Sequence, residues 1–196
     1  MRWEEGYPLD FKAVLERFPS PEELNNVVAQ NSCTPRFVYG ALMLPTVLKY
    51  FLDLPQSSKV DMVYARLPGY GLYNFSGNSL PAIVPSLDEN SIVEGMLIFG
   101  LDTKQQNKIF EFESGDGEQL RLTDVRVQVY QKQVMGRYEM KCEQTLDAGT
   151  YVWNSHTKGL ERLKSTYWPL GNFLQDQLYR NLVQNQNGVQ EEEQGE

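Results

Sequence analysis

Histidine and cysteine are nearly absent from this sequence, and their scarcity narrows the chemistry open to it. One histidine, His156, and two widely separated cysteines, Cys33 and Cys142, occur among 196 residues. The cysteines form no C-x-x-C unit, so a structural zinc site is not indicated and we expect two reduced thiols. A lone histidine also disfavours a Ser–His–Asp triad or a Cys–His pair. Proton transfer in an enzyme of this composition is expected to use a carboxylate or a tyrosine.

Long apolar runs and an excess of basic residues are also missing. No apolar stretch approaches the ~20 residues that a membrane-spanning helix needs, and the acidic residues 1–5 have the features of neither a secretory signal nor a transit peptide. The formal net charge of −8 argues against nucleic acid as a partner, because phosphate binding needs clustered Lys and Arg. We therefore expect a cytoplasmic protein with neither a membrane nor a nucleic-acid partner.

The apolar fraction, 41%, is sufficient for one domain with a hydrophobic core. Apolar residues at helical spacing predict two helices within residues 7–31, the second capped by Ser20 with Pro21 at its first position. Further helices are predicted over 45–53, 102–112 and 168–184. Strands are predicted over 36–39, 60–67, 72–75, 81–85, 91–99, 120–130 and parts of 137–154. This pattern predicts an α+β fold in which a mostly antiparallel, barrel-like sheet carries a few packed helices.

The chain divides into three segments by composition. Residues 1–35 read as an N-terminal helical extension, and residues 36–183 hold the main domain. Residues 184–196 end in an acidic run without apolar periodicity. A segment of that kind buries too little apolar surface to fold, so it is predicted to be a disordered acidic tail.

The stretch R-F-V-Y-G-A-L-M-L-P at residues 36–45 joins a short strand to a glycine. Phe37, Val38 and Tyr39 favour a strand, and Gly40 follows them directly. A glycine at the end of a strand marks either a tight turn or a close approach of the backbone to another group. The residues alone leave both alternatives open.

Several short motifs occur in an order found in one known family. They are F-V-Y-G-A-L-M at 37–43, L-P-G-Y at 67–70, P-A-I-V-P at 81–85, V-E-G at 93–95, an acidic element at 109–121 and T-Y-V-W at 150–153. Together they resemble the gamma-glutamylcyclotransferase-like family, in the branch that includes avirulence-induced plant proteins and fungal relatives. The resemblance covers about residues 36–155.

This resemblance implies a small barrel-like domain with a cavity for a small-molecule γ-glutamyl substrate. The implied reaction releases 5-oxoproline from a γ-glutamyl amine, a γ-glutamyl amino acid, glutathione or a conjugate. The substrate's own α-amine attacks its γ-carbonyl, so the two reacting groups are already tethered. Neither a metal nor an organic cofactor is implied.

The resemblance also implies the site residues. Tyr39, Gly40, Ala41 and Leu42 would line the pocket, with backbone N–H groups aimed at an anion or a carbonyl oxygen. Glu113 matches the family's general base and acid. Its chief rival is Glu111, which lies in the same acidic stretch.

Two further residues have a functional and a structural interpretation. The hydroxyl of Tyr151 either reaches the cavity or belongs to an ordinary sheet tyrosine. Arg121 either binds a substrate carboxylate or pairs with a nearby acidic residue. His156 follows the last motif and is expected on a surface loop.

The sequence departs from the family pattern at four positions. Ala41 stands where serine or threonine is usual, Phe110 where aspartate is common, Ser114 where glycine is common and Gln119 where tyrosine is usual. The departures leave room for a non-catalytic binding protein, or for a lyase or hydrolase on the same scaffold. A pocket-facing Glu113 with a raised pKa would favour an enzyme, and a solvent-facing Glu113 a binding protein.

Overall fold

The helices and strands follow the predicted order along the chain. The computed structural model describes residues 1–30, 32–75, 81–114, 119–135, 138–154 and 157–184. The helices are α1 (Leu9–Leu15), α2 (Pro21–Gln30), α3 (Pro45–Phe51), α4 (Thr103–Ser114) and α5 (Gly171–Leu174). The strands are β1 (Arg36–Val38), β2 (Asp61–Pro68), β3 (Tyr70–Phe75), β4 (Pro81–Pro85), β5 (Ile92–Phe99), β6 (Leu120–Met135), β7 (Tyr138–Trp153) and β8 (Leu160–Arg162).

Five strands close into a barrel in the order β1-β5-β2-β6-β7. The neighbours are antiparallel except for β1 and β7, which close the barrel as a parallel pair. The predicted α+β class and its barrel-like, mostly antiparallel sheet are therefore confirmed. A second sheet has the order β4-β3-β8. The short strand β8, which is mostly exposed, was not predicted because three residues carry no usable periodicity.

The N-terminal helices pack on the same core as the barrel. Phe11 of α1 and Leu24 of α2 are buried members of the core cluster. The predicted cap of α2 is confirmed, since the Ser20 hydroxyl accepts a hydrogen bond from the Glu23 backbone N–H at 3.1 Å. No helix in the described ranges is both long and apolar enough to span a bilayer.

Helix α4 begins where it was predicted and runs past its predicted end at residue 112. The Asp102 carboxylate accepts from the Gln105 N–H at 2.8 Å, and the Gln105 side chain accepts from the Asp102 N–H at 3.0 Å. This reciprocal pair is a capping box. The helix continues to Ser114, so Glu113 lies in its last turn. The sequence also predicts a loop at 114–117 and a turn at 77–78, and all of these positions except 114 lie outside the described residues. His156 and residues 185–196 lie outside them as well.

The prediction of one helix over 168–184 is wrong. Helix α5 ends at Leu174, and a separate helical segment occupies 177–184. Asp176 causes the break, because its carboxylate accepts the Leu178 N–H at 2.8 Å and so starts a new helix. Phe173 and Leu182 are nevertheless buried at their apolar spacing.

Gly95, in the V-E-G motif, allows β1 and β5 to pack closely. A Cβ at this position would lie 2.3 Å from the Val38 carbonyl oxygen and 2.7 Å from the Phe37 ring. These distances are shorter than van der Waals contact, so only glycine fits beside the Phe37 ring. The strand that leads to Tyr39 therefore depends on Gly95 for its position.

Candidate active site

Tyr39 follows β1 directly and joins it to β7. Its side chain is buried, and its hydroxyl donates a hydrogen bond to the Tyr151 backbone carbonyl at 2.6 Å. Burial, and next the negative charge of Glu113, hold the pKa of Tyr39 well above its usual value. Tyr39 is therefore a protonated, fixed group within electrostatic reach of Glu113.

Gly40 makes a close contact with β4. A Cβ on Gly40 would lie 3.1 Å from Cγ of Pro81, and the glycine φ of −123° is one that any residue adopts. Close approach to Pro81 is thus one reason for glycine here. The group that approaches is Pro81 from the P-A-I-V-P motif.

Residues Ala41–Met43 form a single 3₁₀ turn. The hydrogen bonds of this turn begin with the Met43 N–H, which donates to the Gly40 carbonyl at 3.0 Å. The N–H groups of Ala41 and Leu42 therefore have no partner within the turn. Both side chains are buried in the core, so these two residues have only backbone groups to offer a ligand.

Glu113 is a half-buried residue near the C-terminal end of α4. Burial raises the pKa of its carboxyl from 4.5 to about 7. Phe112, the preceding residue, packs on Phe51 with ring centroids 4.0 Å apart. At neutral pH this carboxyl is close to its midpoint, so it can both accept and return a proton.

Tyr151 lies on β7 within reach of both a carboxylate and an arginine. Burial raises the pKa of Tyr151 to about 12; the Arg36 guanidinium beside its hydroxyl acts in the opposite direction, and Glu113 adds to the rise. The Tyr151 ring faces Phe110 of α4 with centroids 6.2 Å apart. The hydroxyl of Tyr151 therefore lies in the same cluster of side chains as Glu113.

The structure thus brings together Tyr39, Tyr151, Glu113 and the turn at 40–42. Glu111 is exposed on α4. Arg121 is exposed on β6, where it lines an open cleft of ≈ 450 Å³ with Tyr70 and Pro85 among others. Within the described ranges, no three His, Cys, Asp or Glu side chains are placed to hold a metal ion.

Arg36 is the residue that sequence reasoning missed. It begins β1 with only 9% of its surface exposed, and its Nη2 donates to Gln106 Oε1 of α4 at 2.6 Å. Nη1 donates to the Thr34 carbonyl at 3.2 Å. The signal in the sequence is an arginine at the start of a strand whose residues are otherwise apolar, since arginine is seldom buried without a partner.

The raised pKa of Glu113 predicts a pH-dependent cost in stability. A carboxyl whose pKa is higher in the folded than in the unfolded state stabilises the fold at low pH, and this contribution is lost as pH rises from 4.5 to about 7. The Glu113→Gln variant stays neutral throughout. It should exceed the wild type in free energy of unfolding by about 1–3 kcal/mol at pH 8, and by progressively less toward pH 5.

Urea denaturation at pH 5.5 and pH 8 measures this difference. The matched control is Glu111→Gln, which removes an exposed carboxylate from the same helix. The difference in free energy of unfolding between Glu111→Gln and the wild type should not grow between pH 5.5 and pH 8. Equal free energies of unfolding for Glu113→Gln and the wild type at pH 8 would show that the Glu113 carboxyl is not buried enough to raise its pKa.

Comparison with known proteins shows which proteins this chain is similar to. Residues 36–170 match the family model described as gamma-glutamyl cyclotransferase, AIG2-like. The chain is similar to Protein AIG2 C of Arabidopsis thaliana, with 32% identity over 117 residues, 60% of this chain and 59% of that protein. It is similar to Protein AIG2 A of the same plant, with 36% identity over 69 residues, 35% of this chain and 37% of that protein. The chain therefore spans about a third to three fifths of the length of these curated relatives.

A solved structure is similar as well. The solution structure of an Arabidopsis thaliana protein aligns with 85% of this chain and 88% of its own, at 23% identity and a TM-score of 0.46.

Proposed function

Because this chain belongs to the gamma-glutamyl cyclotransferase, AIG2-like family, we propose that it is an enzyme that releases 5-oxoproline from a γ-glutamyl compound. The substrate is a γ-glutamyl amine, a γ-glutamyl amino acid, glutathione or a conjugate. The observation that carries the proposal is the Glu113 carboxyl, whose pKa burial raises to about 7 beside Tyr39 and Tyr151. A carboxyl with a pKa near the working pH is suited to general acid–base catalysis.

In the proposed reaction, Glu113 carries one proton from the nucleophile to the leaving group. Its carboxylate takes a proton from the substrate's α-ammonium. The freed amine attacks the γ-carbonyl carbon, a C–N bond forms, and the carbonyl oxygen becomes an oxyanion. When this intermediate collapses, the original amide C–N bond breaks and protonated Glu113 gives its proton to the leaving amine. The ring nitrogen then gives up its remaining extra proton to the Glu113 carboxylate, which releases it to solvent. The products are 5-oxoproline and a free amine, and no water is consumed.

The other residues hold the substrate in the folded-back geometry. The backbone N–H groups of Ala41 and Leu42 are proposed as oxyanion donors, since the 3₁₀ turn leaves them unused. Tyr39, fixed to the β7 carbonyl, supports this turn. The hydroxyl of Tyr151 is proposed to contact the substrate. Arg121 remains a proposed substrate contact from the open cleft that it lines with Tyr70 and Pro85.

The departure at Ala41 is compatible with activity. A serine or threonine there would add a hydroxyl, but the proposed contribution of this position is its backbone N–H. The side chain of Ala41 is itself buried in the core, with 4% of the residue exposed. The donor geometry of the turn therefore does not depend on that hydroxyl.

Product analysis tests the proposal. The protein is incubated with a panel of γ-glutamyl amines, γ-glutamyl amino acids and glutathione, and 5-oxoproline, free glutamate and free amine are quantified. Equimolar 5-oxoproline and amine are expected from at least one substrate. Free glutamate in place of 5-oxoproline would indicate a hydrolase, and no turnover of any member would favour a binding protein.

A further inference from the structure

Arg36 is a buried cation without an anionic partner in the described part of the chain. The groups around it are the Thr34 carbonyl, the Gln106 amide and the Tyr151 hydroxyl, all of which are neutral. Its Nε is buried and has no hydrogen-bond acceptor among the described residues. Burying an uncompensated charge is costly, so a position of this kind is suited to a ligand that supplies the missing negative charge.

The fold makes room for the guanidinium. Gly149 of β7 pairs with Arg36, and a Cβ on Gly149 would lie 2.6 Å from Nη1. The side-chain amide of Gln106 also donates to the Thr34 carbonyl at 3.1 Å, so that carbonyl keeps a partner even without Arg36. The guanidinium is therefore accommodated by glycine on one side and a half-buried glutamine on the other. Neither neighbour neutralises its charge.

Helix α4 places this cation at one end of the candidate site and the acid at the other. Gln106, Phe110 and Glu113 are spaced i, i+4 and i+7, so they share one face of the helix. Gln106 meets Arg36, and Phe110 faces Tyr151. The Tyr151 hydroxyl lies within electrostatic reach of both Arg36 and Glu113.

We propose that Arg36, together with the hydroxyl of Tyr151, binds the α-carboxylate of the γ-glutamyl group. The α-carbon of this group bears a carboxylate and an amine, and these match the cation and the acid on either side of Tyr151. A guanidinium is well suited to the task because its planar N–H groups bind carboxylates with two parallel hydrogen bonds. The proposal rests on the proposed function for the identity of its ligand.

Ligand binding tests this inference without requiring turnover. Isothermal titration measures the affinity of 5-oxoproline, which retains the α-carboxylate, and of 5-oxoprolinamide, which replaces it with a neutral amide. The proteins are wild type, Arg36→Met, Arg36→Lys, Arg121→Met and Arg126→Met. Arg126 is an exposed arginine of β6 that lies near Asp147, and serves as the matched control.

We expect a loss of affinity for 5-oxoproline only, and only when Arg36 is replaced. Arg36→Met should weaken 5-oxoproline binding by about 10–100-fold and leave the affinity for the amide within about twofold. Arg36→Lys should fall between the two, because lysine keeps the charge but not the planar fork. Arg126→Met should bind 5-oxoproline as the wild type does.

Three results would overturn the inference. They are wild-type affinity in Arg36→Met, equal losses for acid and amide, and no saturable binding of 5-oxoproline by the wild type. A loss seen in Arg121→Met but not in Arg36→Met would assign the carboxylate to the exposed arginine instead. If Arg36→Met does not fold, the inference is tested instead by the NMR resonance of the Arg36 Nε–H in the wild type. It should shift with 5-oxoproline and not with the amide, and an unmoved resonance would contradict the proposal.

Kinetics separate the two carboxylates that a substrate offers. In Arg36→Met, a rise in KM for γ-glutamyl amines and γ-glutamyl amino acids alike identifies the α-carboxylate. A rise only for γ-glutamyl amino acids would assign Arg36 to the leaving group and overturn the inference. Release of 5-oxoproline at wild-type KM by Arg36→Met would leave the proposed function standing without the inference. Binding of 5-oxoproline that depends on Arg36, without release of 5-oxoproline from any substrate, would support the inference and contradict the proposed function.

Discussion

Replacing Glu113 with glutamine should reduce 5-oxoproline release by about a thousandfold or more, within or above the range usual for loss of general acid–base catalysis. Glutamine keeps the size and hydrogen-bonding capacity of the side chain but takes no proton from an ammonium. Without that transfer the α-amine remains protonated and has no lone pair for attack on the γ-carbonyl. Initial rates of 5-oxoproline formation, with a substrate that the wild type turns over, measure the effect.

Glu111→Gln provides the matched comparison for this result. It makes the same change two residues earlier on α4, at an exposed position, and should retain activity within about twofold. The reverse outcome, with activity lost in Glu111→Gln and kept in Glu113→Gln, would assign the base to Glu111. Loss of folding does not explain an inactive Glu113→Gln variant if that variant is the more stable protein at pH 8.

Replacing Gly95 with alanine should lower the free energy of unfolding by about 3 kcal/mol or more. The added methyl group would lie 2.3 Å from the Val38 carbonyl oxygen, and the nearest ring atoms of Phe37 lie at 2.7 and 2.9 Å. The first of these neighbours is backbone in the barrel, so the overlap is relieved only by moving β1 away from β5. Chemical denaturation of the purified variant measures the loss.

Gly171→Ala is the control for this substitution. No atom lies within 4 Å of a Cβ at Gly171, and this residue begins helix α5. Alanine should therefore be neutral there or stabilise the protein by a few tenths of a kcal/mol. Equal stabilities for Gly95→Ala and wild type would mean that β1 does not approach β5 as closely as described. Because β1 leads to Tyr39, activity is expected to fall together with stability in Gly95→Ala.

Local patterns predicted most of the elements, a local cap explains the helix that was predicted too long, and a long-range contact explains the barrel closure that was not foreseen. The Ser20 and Asp102 caps follow from residue types at fixed spacing, so both could be predicted. The break at Asp176 uses a cap inside a continuous apolar pattern, which the pattern conceals. The closure of β1 on β7 joins residues more than a hundred positions apart, and a list of strands does not reveal it.

The candidate site divides in the same way. Tyr39 and Glu113 were proposed from motif resemblance, and the structure brings them within electrostatic reach. The contact of Gly40 with Pro81 joins two motifs whose proximity no local pattern encodes. Arg36 was missed because its significance lies in what surrounds it. Its neighbours Gln106, Gly149 and Tyr151 lie far from it in the sequence, so no local pattern predicts these contacts.

The dependence of kcat/KM on pH tests the central claim most directly, because the claim concerns the proton that Glu113 takes. The measurement follows 5-oxoproline release by the wild type and by Glu111→Gln between pH 5 and pH 9. The acid limb should rise as the Glu113 carboxyl ionises, with an inflection near its pKa of about 7, and should be the same in both proteins. Release without an inflection in this region, or an inflection that moves in Glu111→Gln, would contradict the assignment of Glu113 as the base.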